Sequence, residues 1–258
     1  MNKKNPVREH ILKSLQLGMR PDGRALEQYR NVEVTYGVSK TAEGSALVKI
    51  GDTEVIAGAK LSVEVPFPDT PDEGIIMVNA ELLPLSSPRF EAGPPGIEAV
   101  ELARVVDRGL RESKALDLKK LCIKKGEKVW AVSVDICTIN DAGNLFDAAG
   151  LAAIAALQDA VFPSYDGTEV DYDTKTTEKL PLSKTPIPIT VLKIGDYFIV
   201  DALQEEMASV DSRLTVTTTA DGTICSLQKG GDVAITLADI DKMITLSLVQ
   251  AKMLRKKL

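Results

Sequence analysis

Three arginines recur at helical spacing in the middle of the chain: Arg104, Arg108 and Arg111. Positions i, i+4 and i+7 share one side of a helix, so the three guanidinium groups form a single arginine face. Arginine suits phosphodiesters because its planar donors stay charged and can bind two oxygens at once. Acidic residues lie three or four positions away: Glu101, Asp107 and Glu112. From spacing alone, a solvated face of salt bridges is therefore the favoured interpretation.

A glycine-marked turn, Asp141-Ala-Gly-Asn-Leu145, lies between a predicted strand and a predicted helix. Backbone N–H groups at such a turn, together with the helix N-terminus, can hold a phosphate. The local side chains are unsuited to that task, because Leu145 donates nothing and Asp141 and Asp147 would repel an anion. The residues alone therefore predict a plain connection between strand and helix.

Three carboxylates, Glu205, Glu206 and Asp211, follow a strand that ends near Asp201. Paired carboxylates can act as acid and base or hold a metal ion, but solvated acidic loops have the same composition. Their spacing gives no reason to prefer catalysis. His10 is the sole histidine and no Cys-x-x-Cys motif occurs, which excludes a structural zinc site and a histidine-based nucleophile triad. We expect no metal site.

Two similar series of elements surround these residues, and they predict an α+β fold. We expect a helix over about 5–17, strands over about 31–37, 45–50, 54–64, 75–83 and 128–140, and helices over about 97–115 and 147–162. Strands over about 187–194, 197–202, 213–219 and 223–229 and a helix over about 236–256 follow. Val-Lys-Ile-Gly-Asp (48–52) and Leu-Lys-Ile-Gly-Asp (192–196) occupy the same place in each series. We predict halves at 1–165 and 166–258, connected through 163–186.

Composition restricts the class of protein further. The chain has 258 residues, 44% of them hydrophobic and 26% charged, as in globular proteins, and its net charge of −6 argues against a nonspecific nucleic-acid coat. No signal peptide or membrane-spanning run is evident, so we expect no membrane partner. Three dispersed cysteines are expected to be unpaired thiols in a reducing compartment. A cytoplasmic location follows as an expectation.

Three motifs in this order resemble the RNase PH family, and the resemblance covers nearly the whole chain. They are Arg20-Pro-Asp-Gly-Arg24, then Gly44-Ser-Ala-Leu-Val-Lys-Ile-Gly-Asp-Thr-Glu-Val55 with Lys60, then Asp141-Ala-Gly143. The sequence is most similar to the non-catalytic RNase PH-like subunit of the archaeal exosome core. That likeness rests on Phe90-Glu-Ala-Gly-Pro-Pro95, Glu101-Leu-Ala-Arg-Val-Val-Asp-Arg108, Ser113-Lys-Ala-Leu-Asp117 and the acidic stretch 205–211. It implies duplicated β/α halves, like ribosomal protein S5 domain 2, packed as one unit.

The resemblance implies phosphate-dependent 3′→5′ shortening of RNA, and two departures imply that this chain does not catalyse it. Active members are expected to carry Ser-Arg after Asp-Ala-Gly, where this chain has Asn144 and Leu145. They also carry two aspartates six residues apart, the second followed by Met-Pro. Here Glu205 and Asp211 keep the spacing, but Ser-Arg follows Asp211. The phosphate site and the acidic site are both degenerate, since loss of a bidentate arginine removes binding and charge stabilisation.

The resemblance also implies partners and an RNA contact. The implied assembly is a hexameric ring of three heterodimers with a catalytic RNase PH-like sibling, bearing RNA-binding cap proteins and acting on single-stranded RNA. No cofactor is expected in this chain, and the sibling uses inorganic phosphate. Arg104 and Arg108 match positions that grip the RNA beside the sibling's active site, and Arg111 is a weaker match. Two alternatives stay open: a self-sufficient phosphorolytic exoribonuclease, and a purely architectural ring subunit without RNA contact.

Overall fold

The computed structural model describes residues 6–258, and the predicted start of the first helix at residue 5 lies outside that range. The elements of the first part are α1 (Pro6–Gln16), β1 (Val32–Tyr36), β2 (Gly44–Ile50), β3 (Thr53–Glu64), β4 (Ile75–Glu81), α2 (Ile97–Glu112), β5 (Cys122–Lys124), β6 (Lys128–Asn140) and α3 (Leu145–Asp159). Those that follow are β7 (Val161–Tyr165), β8 (Val170–Lys179), β9 (Ile187–Ile194), β10 (Tyr197–Val200), α4 (Gln204–Met207), β11 (Ser212–Thr218), β12 (Ile224–Gly230) and α5 (Leu237–Leu254). The α+β class is confirmed.

The first sheet has the strand order β1-β2-β3-β6-β4, and β5 pairs with β6 outside this path. β4 runs parallel to β6, and the other pairs in this sheet are antiparallel. Every second residue of β3 is buried, as expected for a strand with one face on the core: Val55, Ala57, Ala59 and Leu61. α2 packs against β4, and α3 packs against β2 and β3.

The central helix α3 is buried from Phe146 to Leu157, which is typical of a helix that is apolar on all sides. Small side chains let its neighbours approach closely. A Cβ atom on Gly150 would lie 2.2 Å from the ring of Pro188 in β9, so only glycine fits at this crossing. α3 therefore contacts the first sheet on one side and the second sheet on the other.

The second sheet has the order β10-β9-β11-β12, with every pair antiparallel. α5 packs against β9 and β11, and α2 reaches β12. One hydrophobic cluster includes Val134 of the first sheet and Val191 of the second, so the halves pack as one unit. No helix within residues 6–258 is both long and apolar enough to cross a membrane.

The repeated pentapeptides lie in equivalent hairpins. Gly51-Asp52 joins β2 to β3, and Gly195-Asp196 joins β9 to β10. Both glycines have positive φ, +56° and +60°, which glycine adopts at little steric cost at the first position of a two-residue hairpin loop. The local similarity in sequence therefore corresponds to a similarity in backbone.

The segment predicted as the connection between the halves, 163–186, contains most of a β-hairpin that the sequence did not predict. β7 and β8 pair antiparallel, and Phe162 and Tyr165 of β7 pack against Trp130 with ring centroids 5.4 and 5.7 Å apart. β8 is exposed along nearly its whole length, so its sequence has no alternating apolar pattern. The division at 165/166 falls in the turn of this hairpin and stays a prediction.

Candidate nucleic-acid interface and degenerate phosphate site

Helix α2 presents the arginine face outward because its apolar residues recur every three or four positions along the opposite side. Its inner side buries Leu102, Val105, Val106, Gly109 and Leu110. Gly109 lets α2 approach β11 closely, since an added Cβ would lie 3.0 Å from Cγ2 of Thr217. Arg104, Arg108 and Arg111 are exposed on the other side, as the spacing predicts.

The guanidinium of Arg111 makes an ion pair and hydrogen bonds within the protein. Its Nη2 atom lies 2.7 Å from Oδ1 of Asp107, one helical turn earlier, and donates to the carbonyl of Ile76 at 2.9 Å. This is the ion-pair arrangement that the spacing favoured. The RNA contact of Arg111 stays a prediction. In the structure, its guanidinium links Asp107 of α2 to the carbonyl of Ile76 in β4.

Arg104 and Arg108 are not neutralised in this way. Glu101, three positions before Arg104, pairs instead with Arg213 at 2.7 Å and accepts a bond from Gln228 at 3.3 Å. Across the described part of the chain, Arg104 has no ion pair or hydrogen bond, and Arg108 makes a single 3.5 Å contact with Oε1 of Gln228. Both line an open groove of about 690 Å³. Two guanidinium groups are therefore available to an anionic ligand.

The turn at 141–145 contains the two positions predicted to form a degenerate phosphate site. Asn144 is buried in the left-handed conformation, with φ of +60°, and directly precedes α3. Its Nδ2 atom donates to Oδ1 of Asp201 at 3.0 Å. Leu145 begins α3 and packs partly against the main core. Neither side chain offers the paired donors of an arginine to an incoming anion.

The buried carboxylate of Asp201 is the centre of this region. It accepts bonds from Nη2 of Arg30 at 2.6 Å and from Nη1 of Arg24 at 2.8 Å, besides the bond from Asn144. Burial acts to raise the pKa of Asp201, but the hydrogen bonds and the charge of Arg30 outweigh it and lower the pKa. Asp201 is therefore an internal anion, and Arg24 and Arg30 already bind it.

The carbonyl groups of the turn are also occupied by internal donors. Arg30 donates to the carbonyls of Ala142 at 3.0 Å and Gly143 at 3.2 Å, and Thr53 Oγ1 donates to Gly143 at 2.6 Å. Gly143 must be glycine, because its φ is +96° and an added Cβ would lie 2.3 Å from the carbonyl oxygen of Ala202. The turn is thereby held against the segment that follows β10.

The Arg20-Pro-Asp-Gly-Arg24 motif ties the N-terminal region to that same segment. The fully buried guanidinium of Arg20 donates to both carboxylate oxygens of Glu206 and to the carbonyl of Val200 at 2.9 Å. Glu206 also accepts the N–H of Leu203 at 2.8 Å. A buried ion pair needs such additional hydrogen bonds to offset its desolvation. No local sequence pattern predicts these partners of Arg20, because Val200 and Glu206 are at least 180 positions away.

A second buried acid, Asp147, lies in the first turn of α3. Its Oδ2 atom accepts a bond from the hydroxyl of Tyr29 at 2.5 Å, while its Oδ1 atom has no hydrogen-bond partner within residues 6–258. Burial raises the pKa of Asp147 to about 7. Burial and the neighbouring Asp147 likewise raise the pKa of Tyr29 well above its usual value. The sequence indicated only that Asp147 would repel an anion, and it gave no sign of the contact with Tyr29.

The two residues predicted to form a degenerate acidic site, Glu205 and Asp211, have separate environments. Glu205 is exposed on α4. Asp211 binds Arg8 through both oxygens at 2.9 Å and accepts the N–H of Gly195 at 2.7 Å, so it closes the β9–β10 hairpin. Within residues 6–258 no group of three or more His, Cys, Asp or Glu side chains is arranged to hold a metal ion. Asp211 therefore has a structural use in this chain.

The fold and the motifs agree with comparisons to known proteins. Two models of the 3′ exoribonuclease (RNase PH) family match the chain, domain 1 over residues 28–163 and domain 2 over residues 184–250. The chain belongs to this family, as the resemblance predicts.

Individual relatives match nearly the whole chain. It is 46% identical to the exosome complex component Rrp42 of Archaeoglobus fulgidus, over 97% of this chain and 95% of the relative, and 45% identical to that of Thermococcus onnurineus, over 97% and 93%. It also resembles a chain in the solved structure of the Archaeoglobus fulgidus exosome with RNA bound to the active site. The TM-score is 0.92 at 46% identity, covering 98% of this chain and 97% of the other.

Proposed function

We propose that this chain is a non-catalytic structural and RNA-binding subunit of an exosome, a ring that degrades RNA from its 3′ end with inorganic phosphate. The observation that carries the proposal is the contrast in arginine pairing. Arg104 and Arg108 lie exposed without an ion pair in the described chain, whereas Arg24 and Arg30 are committed to buried Asp201. The names of the relatives, exosome complex component Rrp42, support the assembly.

The chemistry of the degenerate site supports a lack of catalysis. Phosphorolysis requires positively charged donors that bind phosphate and stabilise the charge of the transition state. Leu145 supplies no donor, and Asn144 uses its amide on Asp201. The self-sufficient enzyme would require an arginine from elsewhere at this place. Arg30 comes closest to that requirement, but Asp201 and the carbonyls of the turn bind it.

The proposed partners follow from the proposed assembly, an exosome ring. A catalytic RNase PH-like sibling alternates with this chain in a hexamer of three heterodimers, and this chain completes the sibling's active site across their interface. Closed rings of this kind need two different interaction surfaces on each subunit. RNA-binding cap proteins and single-stranded RNA are the further partners, and the sibling binds the inorganic phosphate. The assembly acts in the cytoplasm.

The test compares this chain, the sibling and their mixture on 3′-labelled single-stranded RNA with inorganic phosphate, reading the release of nucleoside diphosphates. We expect no release by this chain alone and rapid release by the mixture. Native mass measurement on the same samples identifies the assembly. Robust phosphate-dependent degradation by this chain alone would refute the non-catalytic role.

The architectural alternative, in which the chain never touches RNA, is tested separately. A ring that carries Arg104→Ala and Arg108→Ala should assemble normally and bind RNA weakly. Unchanged binding by that ring would favour pure architecture.

A further inference from the structure

The loop between β4 and α2, residues 82–96, has a defined place beside the arginine face. The N–H of Leu83 donates to Oγ1 of Thr138 at 3.1 Å, and the N–H of Asp141 donates to the carbonyl of Ser86 at 2.9 Å. The hydroxyls of Ser86 and Thr138 are 2.7 Å apart. These bonds anchor the start of the loop to the end of β6 and to the 141–145 turn.

The loop carries an aromatic ring and a cation together. Arg89 is 53% exposed, its Nη2 atom lies 2.9 Å from Oδ2 of Asp141, and its guanidinium lies 5.4 Å from the ring centroid of Phe90. Phe90 is half-buried, yet it is part of none of the hydrophobic clusters formed by residues 6–258. Packing of the core therefore does not account for this ring.

The ring lies in a groove that continues to the arginine face. Phe90 and Arg89 line an open groove of about 720 Å³, and Arg104 and Arg108 line the neighbouring groove of about 690 Å³. The two share residues 95–97 as their common wall. An extended strand that contacts Arg104 through its phosphates therefore has a path past Phe90.

We propose that Phe90, together with Arg89, is a base-stacking position for single-stranded RNA, continuing the grip of Arg104 and Arg108. The proposal rests on the proposed RNA-binding function and adds a residue to it. Stacking on an aromatic ring accepts any base, because every base has a π-face, and arginine adds cation–π attraction. The position therefore contributes affinity without sequence preference.

The experiment measures binding of single-stranded RNA to the ring assembled with the catalytic sibling, without phosphate so that no degradation occurs. Phe90→Ala and Phe90→Leu should each lower affinity about fivefold or more, since both remove the π-face, whereas Phe90→Trp should preserve it. Leu237→Ala is the control, because Leu237 begins α5 outside both grooves, has 86% of its surface exposed and has no ring. We expect no change for it.

Abasic RNA and salt dependence separate this proposal from the proposed function. One abasic position should weaken binding to the unaltered ring and cost nothing further in Phe90→Ala. The salt dependence should stay the same in Phe90→Ala but become shallower in Arg104→Ala, because only the second variant loses a phosphate contact. Full affinity in Phe90→Ala and Phe90→Leu, with weakened binding in Arg104→Ala, would overturn the stacking role alone. Full affinity in all three would overturn RNA binding by this face as well.

Discussion

Arginines gather in two neighbouring regions of this protein, and their pairing differs. On the arginine face of α2, Arg104 and Arg108 are exposed while their potential partner Glu101 binds Arg213. At the 141–145 turn, Arg24 and Arg30 converge on the buried carboxylate of Asp201. An arginine paired with a buried carboxylate stabilises the fold, whereas an unpaired exposed one is available to a ligand. The proposed function assigns RNA binding to the first region and a purely structural role to the second.

The largest expected effect concerns the stability of the turn region. Asp201→Asn keeps the shape and tolerates the left-handed backbone but leaves Arg30 without an anion, while Arg24 keeps only its ion pair with Asp22 at 2.6 Å. We expect the free energy of unfolding to fall by about 3–5 kcal/mol in chemical denaturation. Glu205→Ala, at an exposed acid on α4, should change it by no more than about 0.5 kcal/mol. Equal effects of the two substitutions would contradict the internal role of Asp201.

The second largest effect is expected on RNA binding by the arginine face. Arg104→Ala with Arg108→Ala should weaken binding of single-stranded RNA to the assembled ring by about 2 kcal/mol or more. The slope of log affinity against log salt should become shallower by about 0.7 for each lost phosphate contact. Thermal unfolding should hardly change, because neither side chain makes an ion pair within the described residues. A large loss of stability in this variant would remove the distinction between the two regions.

The pH dependence of stability tests the buried acid next to the turn. Because the pKa of Asp147 is raised to about 7 in the folded protein and is near 4 in the unfolded chain, the folded state binds more protons between these values. Its contribution to stability is therefore greatest below pH 4 and declines as the pH rises to about 7, by up to about 1.4 kcal/mol per pH unit. Asp147→Asn should remove this decline in denaturation curves measured from pH 4 to 8. An unaltered pH profile would show that Asp147 is ionised throughout.

The smallest effect is expected at Arg111, the member of the arginine face that is paired. Its ion pair with Asp107 is half-exposed, and such i,i+4 pairs contribute about 0.3–0.5 kcal/mol. Arg111→Ala should therefore change stability by less than about 1 kcal/mol and RNA affinity less than either Arg104→Ala or Arg108→Ala does. An RNA defect as large as theirs would mean that the ligand displaces Asp107.

Local patterns in the sequence were sufficient to predict most elements. The strands β6 and β9 have the predicted bounds, because apolar runs end at turn residues on both sides. The hairpin of β7 and β8 was missed because its outer strand is exposed and has no apolar period. The spacing of the arginines predicted a shared face. It could not predict the partner of each arginine, because Glu101 pairs with Arg213 of β11 and not with a residue of its own helix.

The turn region could not be predicted in the same way, because its partners are distant in sequence. Arg20 and Glu206 are 186 positions apart, and Arg30 and Asp201 are 171 apart. Such pairs depend on how the two halves pack together, and the hydrophobic periodicity of the sequence contains no information about that packing. The departures at Asn144 and Leu145 were identifiable only by comparison with the residues expected in active members of the family.

Steady-state kinetics of the assembled ring test the central claim most directly, through the separate KM values for RNA and for inorganic phosphate. The ring that carries Arg104→Ala and Arg108→Ala is compared with the unaltered ring at saturating concentrations of the other substrate. We expect the KM for RNA to rise about tenfold or more. The KM for phosphate should stay the same, because in the proposed function this chain binds RNA and the sibling binds phosphate. An unchanged KM for RNA, or an equal rise in the KM for phosphate, would contradict the account.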